Sequence, residues 1–252
     1  IMAGQGTVAL EIIETLPDVD RVIVPGGGGG LIAGMAVALK ALKPDVKITG
    51  VQAAVCPSAV EAIRNGAVIE VPGATSIADG IAVRQTGAAP FEIIRDLVDR
   101  IVVVEEEQIA AAILLLMERK KIVAEGAGAV ALAALMSKIV RLQPGEKTVL
   151  LISGGNLDSP LLGRIIRKGL IQSGRIMRVN VMLADVPGAL AQLLKQIADR
   201  QANVLHIHHN RSRRDFPVNI TAVELELETR GEAHIAEIER SLRDTGYTLM
   251  FC

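Results

Sequence analysis

The chain has 252 residues, of which 50% are hydrophobic, 22% charged and 2% aromatic, and its formal net charge is −1. This composition excludes an intrinsically disordered chain, and the balanced charge and scarce aromatic side chains argue against a nucleic-acid partner. No stretch reaches the roughly 20 apolar residues of a membrane span and no signal peptide opens the chain, so we expect no membrane partner. The two cysteines, Cys56 and Cys252, are too few for a disulfide framework and indicate a cytoplasmic protein.

Up to about residue 173, short runs rich in Val and Ile alternate with longer runs typical of helices. Strands are predicted at Arg21–Pro25, Val46–Ala53, Arg100–Val104 and Thr148–Ser153. Helices are predicted at Leu31–Leu42, Pro57–Asn65, Phe91–Val98, Glu106–Arg119, Ala127–Arg141 and Pro160–Gln172. Because the strand runs are continuously apolar and alternate with helices, the pattern predicts an α/β fold whose mostly parallel sheet carries helices on both faces.

The pattern changes after Gly174. The remaining residues predict, in order, a strand at 175–184, a helix at 187–200, strands at 203–210 and 217–228, a helix at 232–245 and a strand at 247–251. This βαββαβ order is typical of a ferredoxin-like module. The sequence therefore predicts two domains, residues 1–173 and residues 174–252.

Five consecutive glycines, Gly26–Gly30, follow the first predicted strand and precede an apolar helix. Without Cβ atoms, this backbone can wrap closely around a ligand, and its N–H groups together with the positive end of the helix form an anion site. The Lys-Ser/Thr of a P-loop and the acidic residue of a Rossmann motif are both absent, so we expect a phosphate that belongs to neither ATP nor NAD. A flexible linker is the alternative interpretation, although linkers do not usually join a buried strand directly to an apolar helix.

A second glycine turn, Ser153-Gly154-Gly155, follows the last predicted strand of the first domain. In a parallel sheet both glycine turns would lie at the carboxyl ends of their strands, where ligands bind. The Ser153 hydroxyl could form a hydrogen bond with a buried ring nitrogen. The alternative is that Ser153 only forms the turn.

Six short segments occur in a fixed order along the chain. They are AGQGT (Ala3–Thr7), VIVPGGGGGLIAG (Val22–Gly34), GVQ (Gly50–Gln52), ADG (Ala78–Gly80), EGAGA (Glu125–Ala129) and LISGGN (Leu151–Asn156). Together they resemble the later part of the catalytic domain of pyridoxal-phosphate-dependent threonine dehydratases (threonine ammonia-lyases), which are fold type II enzymes. The run Asp185–Leu190 in the last third resembles the corresponding turn of an ACT regulatory domain.

The resemblance implies pyridoxal phosphate as cofactor. The positions that match the family's cofactor site are Gly27, Gly28, Gly29, Gly30, Leu31, Gly80, Glu125, Ser153 and Gly154. By this match, the glycine loop holds the cofactor phosphate through backbone N–H groups, and Ser153 faces the pyridine nitrogen. A neutral hydroxyl there leaves the nitrogen largely unprotonated, which suits β-elimination.

The chain departs from the family pattern in two respects. The family's Schiff-base lysine precedes the AGQGT segment, whereas here no lysine precedes the glycine loop. We therefore expect no catalytic residue in the chain, which would be the C-terminal portion of a catalytic domain and inactive alone. In some relatives an acidic pair after the GV strand binds a divalent metal; the matching stretch, Gln52 to Ser58, has no carboxylate, so we expect no metal.

The resemblance implies that the parent enzyme converts L-threonine to 2-oxobutanoate and ammonia, or acts on serine. The alternative is a non-catalytic module for binding and dimerisation. The positions that match an ACT effector site are Asp185, Pro187, Gly188, Ala189, Leu190 and Asn203. The glycine turn would accept an amino-acid carboxylate at a helix N-terminus, and Asn203 would meet the ligand from a partner chain. We therefore expect an amino-acid effector and a homodimer or homotetramer, with simple helix capping plus dimerisation as the alternative.

Overall fold

The structure is a computed structural model that describes residues 1–210 and 217–251, so Cys252 lies outside the described residues. The chain divides into two compact units, Ile1–Ile165 and Ile166–Cys252. The division falls inside the helix Ser159–Gln172, whereas the sequence predicts a boundary just after this helix. Within the described residues, no helix combines the length and the apolar character needed to cross a membrane.

The first unit contains a four-stranded parallel sheet. Its strands are β1 (Arg21–Pro25), β2 (Lys47–Ala53), β3 (Arg100–Val104) and β4 (Thr148–Leu150). The order across the sheet is β3-β2-β1-β4, and all three pairings are parallel, as predicted. The fourth strand is shorter than predicted. Leu151 N still donates to Ile23 O at 3.0 Å, but the left-handed backbone of Gly154 (φ +82°) then turns the chain away.

Helices precede, separate and follow these strands. They are α1 (Met2–Thr15), α2 (Gly30–Leu42), α3 (Ser58–Asn65), α4 (Ala88–Leu97), α5 (Glu106–Leu115), α6 (Gly126–Met136) and α7 (Ser159–Gln172). The prediction of α6 to Arg141 is wrong, because this helix ends at Met136. The prediction of α5 to Arg119 is also modified, because a π-helical turn, Leu116–Lys120, follows it.

The two faces of the sheet carry separate apolar cores, as expected for helices on both sides. Along β1, Ile23 packs with α5 and α6, while its neighbours Val22 and Val24 pack with α1, α2 and α4. Strand β2 alternates in the same way, with Val51 on the first face and Ile48 on the second. The predicted layered α/β architecture is therefore confirmed for the first unit.

Helix α1 was not predicted, because two glycines in its first five residues weaken its local helical signal. It is instead stabilised by close packing on α2. A Cβ atom placed on Gly6 would lie 2.9 Å from Gly34 O, and one placed on Gly34 would overlap the Met2 carbonyl oxygen. The two helices therefore cross where neither carries a side chain.

The second unit contains an antiparallel sheet and two helices. Its elements are β5 (Ile176–Ala184), α8 (Ala189–Asp199), β6 (Asn203–Asn210), β7 (Ile220–Glu228), α9 (Glu232–Asp244) and β8 (Thr248–Phe251). This βαββαβ order was predicted, and the strands are arranged β6-β7-β5-β8 across the sheet. Alternate residues of β5, such as Val179 and Val181, pack against Leu193 of α8 and Ile238 of α9.

The crossing of α1 and α2 predicts opposite effects for two helical glycines. Gly34→Ala should lower the free energy of unfolding by about 2 kcal/mol, because its methyl group would overlap the Met2 carbonyl. Gly163→Ala in α7 has open space around the new methyl group and should raise stability by about 0.5 kcal/mol. Urea denaturation followed by circular dichroism measures both. Equal effects of the two substitutions would contradict the close crossing.

Candidate functional site

A cavity of about 280 Å³ lies at the carboxyl ends of β1 and β4. The predicted cofactor positions that line it are Gly27, Gly28, Gly29, Gly30, Leu31, Gly80, Glu125 and Ser153. Gly154 is the one predicted position outside this lining. The structure thus brings together residues that are up to 126 positions apart, from Gly27 to Ser153.

The glycine loop adopts a conformation that side chains would obstruct. Gly26 N donates to Val51 O at 2.8 Å, and Gly28 O accepts from Gly87 N at 3.1 Å, so the loop backbone is fixed on two sides. Gly29 has a φ of +90°, and a Cβ atom there would lie 2.8 Å from Pro90 Cβ. A Cβ atom on Gly27 would lie 2.9 Å from Ile81 Cα. Both the turn and the close approach therefore require glycine.

Two helices begin at the cavity. Gly29 is the N-cap of α2 and Glu125 is the N-cap of α6, and both residues line the cavity. A helix N-terminus carries roughly half a positive charge and presents free N–H groups. Among the described residues, the cavity lining contains no lysine and no arginine. An anion here would therefore be held by backbone N–H groups and helix dipoles rather than by a cationic side chain.

The turn after β4 is held against the N-terminal end of α6. A Cβ atom on Gly128 would overlap the Ser153 carbonyl oxygen, so the helix backbone packs directly on this turn. Glu125 N donates to Gly154 O at 3.3 Å, and the Glu125 carboxylate accepts from Asn156 N at 3.2 Å. Gly154 thus contacts Glu125, which lines the cavity, without lining the cavity itself. These contacts fix the position of Ser153 relative to the N-terminal end of α6.

The segment that carries Gly80 is anchored by a residue to which the sequence analysis assigned no role. The Glu106 carboxylate at the start of α5 accepts from Ser76 Oγ at 2.7 Å and from Ile77 N at 2.6 Å. The chain then forms a short 3-10 turn, Asp79–Ile81, that delivers Gly80 to the cavity.

Sequence reasoning missed several lining residues. Two of them, Gln5 and Pro25, lie in the AGQGT and glycine-loop segments. Two more are Ile81, which directly follows the ADG segment, and Ala127, which belongs to the EGAGA segment. Their segments were recognised, but only selected residues were assigned to the site. Gln5 adds an amide to a lining whose other polar side chains are Glu125 and Ser153.

A buried cysteine lies close to this region but has no role in the cavity. Cys56 is fully buried, and burial raises the pKa of its thiol, although nearby Arg84 opposes this effect. It therefore stays in the thiol form at neutral pH. Across residues 1–210 and 217–251, no group of three or more His, Cys, Asp or Glu side chains could hold a metal ion.

The second unit contains a cavity of about 310 Å³ at the N-terminus of α8. Of the predicted effector positions, Pro187 and Ala189 line it, together with Gln192, Thr245 and Tyr247. Gly188 is the N-cap of α8 with a φ of +86°, so the helix begins at this cavity.

The remaining effector positions lie elsewhere. Asp185 N donates to Asn219 O at 2.9 Å, and Leu190 packs against the apolar core. Asn203 pairs with Glu228 of β7, which in turn pairs with Ile176 at the start of β5. The turn that leads to α8 follows Ala184 at the opposite end of β5, so Asn203 lies at the other end of the sheet. The run along β5 from Ile176 to Ala184 spans about 27 Å. Within one chain, the structure does not bring Asn203 to this cavity.

The first unit thus combines an open parallel sheet with a glycine-lined cavity at its carboxyl edge, which defines an α/β domain whose helix N-termini suit a phosphorylated ligand. Residues 1–154 match the family model described as "Pyridoxal-phosphate dependent enzyme". The chain belongs to this family. The residues present fit the cofactor's phosphate, because four consecutive glycines and the N-terminal ends of α2 and α6 line the cavity.

Similar proteins include lyases and racemases. An "L-threonine ammonia-lyase" of Thermotoga maritima is 49% identical over 247 residues, which cover 98% of this chain and 61% of the relative. A "Threonine deaminase" structure from the organism abbreviated T.th. is 37% identical with a TM-score of 0.59, covering 62% of this chain and 58% of that one. A maize serine racemase structure is 35% identical with a TM-score of 0.60, covering 67% and 54%. The chain thus spans 61% of the length of the Thermotoga relative.

Alanine substitutions at two left-handed glycines, one in the loop and one outside it, distinguish a loss of cofactor binding at the loop from the general cost of backbone strain. Gly29→Ala should weaken pyridoxal-phosphate binding by about tenfold or more, because the methyl group would push Pro90 and shift the loop. Gly66→Ala imposes a similar backbone cost at φ +69°, but it ends α3 with open space around it. Equilibrium dialysis should show unchanged binding for Gly66→Ala. Equal losses in both variants would mean that the loop does not hold the phosphate.

Proposed function

We propose that this chain supplies the phosphate-binding and ring-binding part of a pyridoxal-phosphate-dependent ammonia-lyase that acts on threonine or serine. The observation that carries the proposal is the shared cavity of Gly27–Gly30 and Ser153 at the carboxyl edge of the sheet. The names of the relatives favour this reaction. The chain spans 61% of the length of each of two L-threonine ammonia-lyases, both matched over 247 residues, so it would supply only part of such an enzyme.

The residues of this chain would act mainly by binding and orientation. When bound, pyridoxal phosphate supplies an electron sink for the pair of electrons left at Cα after proton loss. The backbone of Gly27–Gly30 would hold the phosphate, and the Ser153 hydroxyl would keep the pyridine nitrogen largely unprotonated. The substrate's β-hydroxyl then leaves as water, and hydrolysis of the product imine consumes one water. The sum is threonine to 2-oxobutanoate plus ammonia.

The positions of the lysines favour a second candidate function, which is cofactor binding without catalysis. No lysine among the described residues lines the cavity. Lys40, the first lysine after the glycine loop, is occupied elsewhere, since its Nζ donates to Val46 O at 2.7 Å and pairs with Asp99 at 3.1 Å. We therefore propose that the chain alone binds the cofactor without covalent attachment and without turnover.

Covalent labelling distinguishes these two functions. After incubation with pyridoxal phosphate and reduction with borohydride, peptide mapping should find no lysine labelled in stoichiometric amount, and threonine should release no 2-oxobutanoate. Addition of the part of the Thermotoga relative that this chain does not cover should restore release of the 2-oxo acid. Stoichiometric labelling with turnover by the chain alone would contradict the non-catalytic candidate, and accumulation of D-serine from L-serine would favour a racemase over a lyase.

For the second unit, we propose an ACT-type amino-acid sensor. Its βαββαβ order and the cavity at the N-terminus of α8 support this assignment. The N–H groups that follow Gly188 suit an amino-acid carboxylate, and Gln192 and Thr245 add polar groups to the lining. The bound amino acid would regulate the lyase.

We further propose that two copies pair along β6, giving a homodimer or a larger even-numbered assembly. Strand β6 is at the edge of the sheet, and its Leu205 and Ile207 are 39% and 42% exposed. Antiparallel pairing of two β6 strands about a two-fold axis would place Asn203 level with the far end of the other copy's strand. That end is where the other copy's effector turn lies, so the predicted contact of Asn203 across an interface becomes possible.

Calorimetric titration with isoleucine, valine, threonine and serine tests the sensor. At least one of them should bind, and Ala189→Leu should abolish the heat because the larger side chain fills the cavity. Ala198→Leu adds the same volume on an exposed part of α8 and serves as the control. Silence from all four amino acids would leave the second unit as a dimerisation module.

A further inference from the structure

A buried polar cluster lies beneath the glycine loop, outside the cavity lining. It consists of Gln52 at the end of β2, Ser58 at the start of α3, and Thr86 before α4, which are 0%, 0% and 1% exposed. All three side chains are uncharged. Buried polar groups are costly unless they are hydrogen-bonded, so their partners indicate what the cluster supports.

Gln52 connects the sheet to α3. Its Oε1 accepts from Ala59 N at 2.9 Å and from Val60 N at 3.2 Å, which are free N–H groups of the first turn of the helix. The N-cap residue is Pro57, whose side chain provides no acceptor. Gln52 therefore caps a helix that would otherwise begin with buried, unpaired donors.

Ser58 joins the other two side chains. Its Oγ accepts from Gln52 Nε2 at 3.4 Å and from Thr86 Oγ1 at 3.3 Å. The cluster is thus a chain of hydrogen bonds from β2 through α3 to the segment that precedes α4. The hydrogen bond to Ser58 holds the Thr86 side chain through its hydroxyl group.

The other end of this chain touches the glycine loop. A Cβ atom added to Gly29 would lie 3.3 Å from Thr86 Cγ2. A Cβ atom added to Gly26 would lie 3.6 Å from Gln52 Cγ. The next residue, Gly87, donates its N–H to Gly28 O at 3.1 Å. The cluster therefore approaches the loop at two of its glycines, Gly26 and Gly29, and the residue after Thr86 binds a third, Gly28.

We propose that Gln52, Ser58 and Thr86 are positioning residues that hold the glycine loop in its anion-binding conformation before the phosphate arrives. A loop of five glycines loses more conformational entropy on ordering than any other sequence, and this cost weakens binding unless the loop is already ordered. Neutral hydrogen bonds fix the cluster itself, and the cluster orders the loop by packing Thr86 Cγ2 near Gly29 and Gln52 Cγ near Gly26. That the anion is a cofactor phosphate rests on the proposed function; the ordering of the loop does not.

Three substitutions in the full 252-residue chain test the cluster. Thr86→Val keeps a methyl group near Gly29 but removes the hydroxyl that donates a hydrogen bond to Ser58. Thr86→Ser keeps this hydroxyl but removes the methyl group. Thr148→Val is the matched control in the same sheet, because its buried hydroxyl has no hydrogen-bond partner among residues 1–210 and 217–251. Hydrogen–deuterium exchange of the ligand-free protein, read on peptides covering residues 26–31, reports the order of the loop.

We expect Thr86→Val to speed exchange in the loop about tenfold, with little change in the strands of the sheet, and Thr86→Ser to have a smaller effect. Thr148→Val should leave the loop unchanged. Unchanged loop exchange in Thr86→Val would overturn the proposal, and so would an equal acceleration throughout the first unit, which indicates general destabilisation.

The phosphate itself is tested separately. Inorganic phosphate should protect the loop amides of the wild-type chain, and Thr86→Val should weaken this protection about tenfold. If neither phosphate nor pyridoxal phosphate protects the loop, the proposed function fails for this chain. The comparison of ligand-free variants still decides whether the cluster orders the loop, so the two failures are distinguishable.

Discussion

The candidate site depends on backbone atoms that approach one another more closely than side chains would allow. Gly126 and Gly128 let the start of α6 pack against the backbone of Ile77 and Ser153, and Gly29 lets the loop pack on Pro90. These contacts close the cavity from two directions. Because a single methyl group would overlap its neighbours at each of these positions, the geometry of the cavity is coupled to the packing of the whole first unit.

The same constraint explains how an anion could be bound without a cationic side chain. Close backbone packing leaves the N-termini of α2 and α6 at the cavity, where free N–H groups and the helix dipoles favour negative charge. The second unit shares the left-handed glycine at a helix start but not the close packing, because Gly188 has open space around it. Its α8 begins with Gly188 at φ +86°, close to the +90° of Gly29 in the first unit. In both cavities, a left-handed glycine begins the helix whose first turn lies at the cavity.

Several features were predictable because they are encoded within a few neighbouring residues. The bounds of β1 and β3 agree with the apolar runs, and the βαββαβ order follows from alternation in the last third. Helix α1 was not predictable from local signals, because its glycines weaken helical propensity and its stability comes from α2, about 30 residues later in the chain. The role of Glu106 was missed for the same reason, since its partners are Ser76 and Ile77.

By itself, the sequence determined the two types of sheet and the glycine turns, since strand periodicity and glycine runs are local properties; the expected cofactor positions came from the family resemblance. Only the tertiary structure decided that Gly80, Glu125 and Ser153 meet the glycine loop in one cavity, and that Asn203 does not meet Pro187 and Ala189 within a chain. It also decided that Gln52, Ser58 and Thr86 form one buried cluster. The physical reason is that hydrogen bonds and close packing between distant segments depend on strand order and register, which no local pattern specifies.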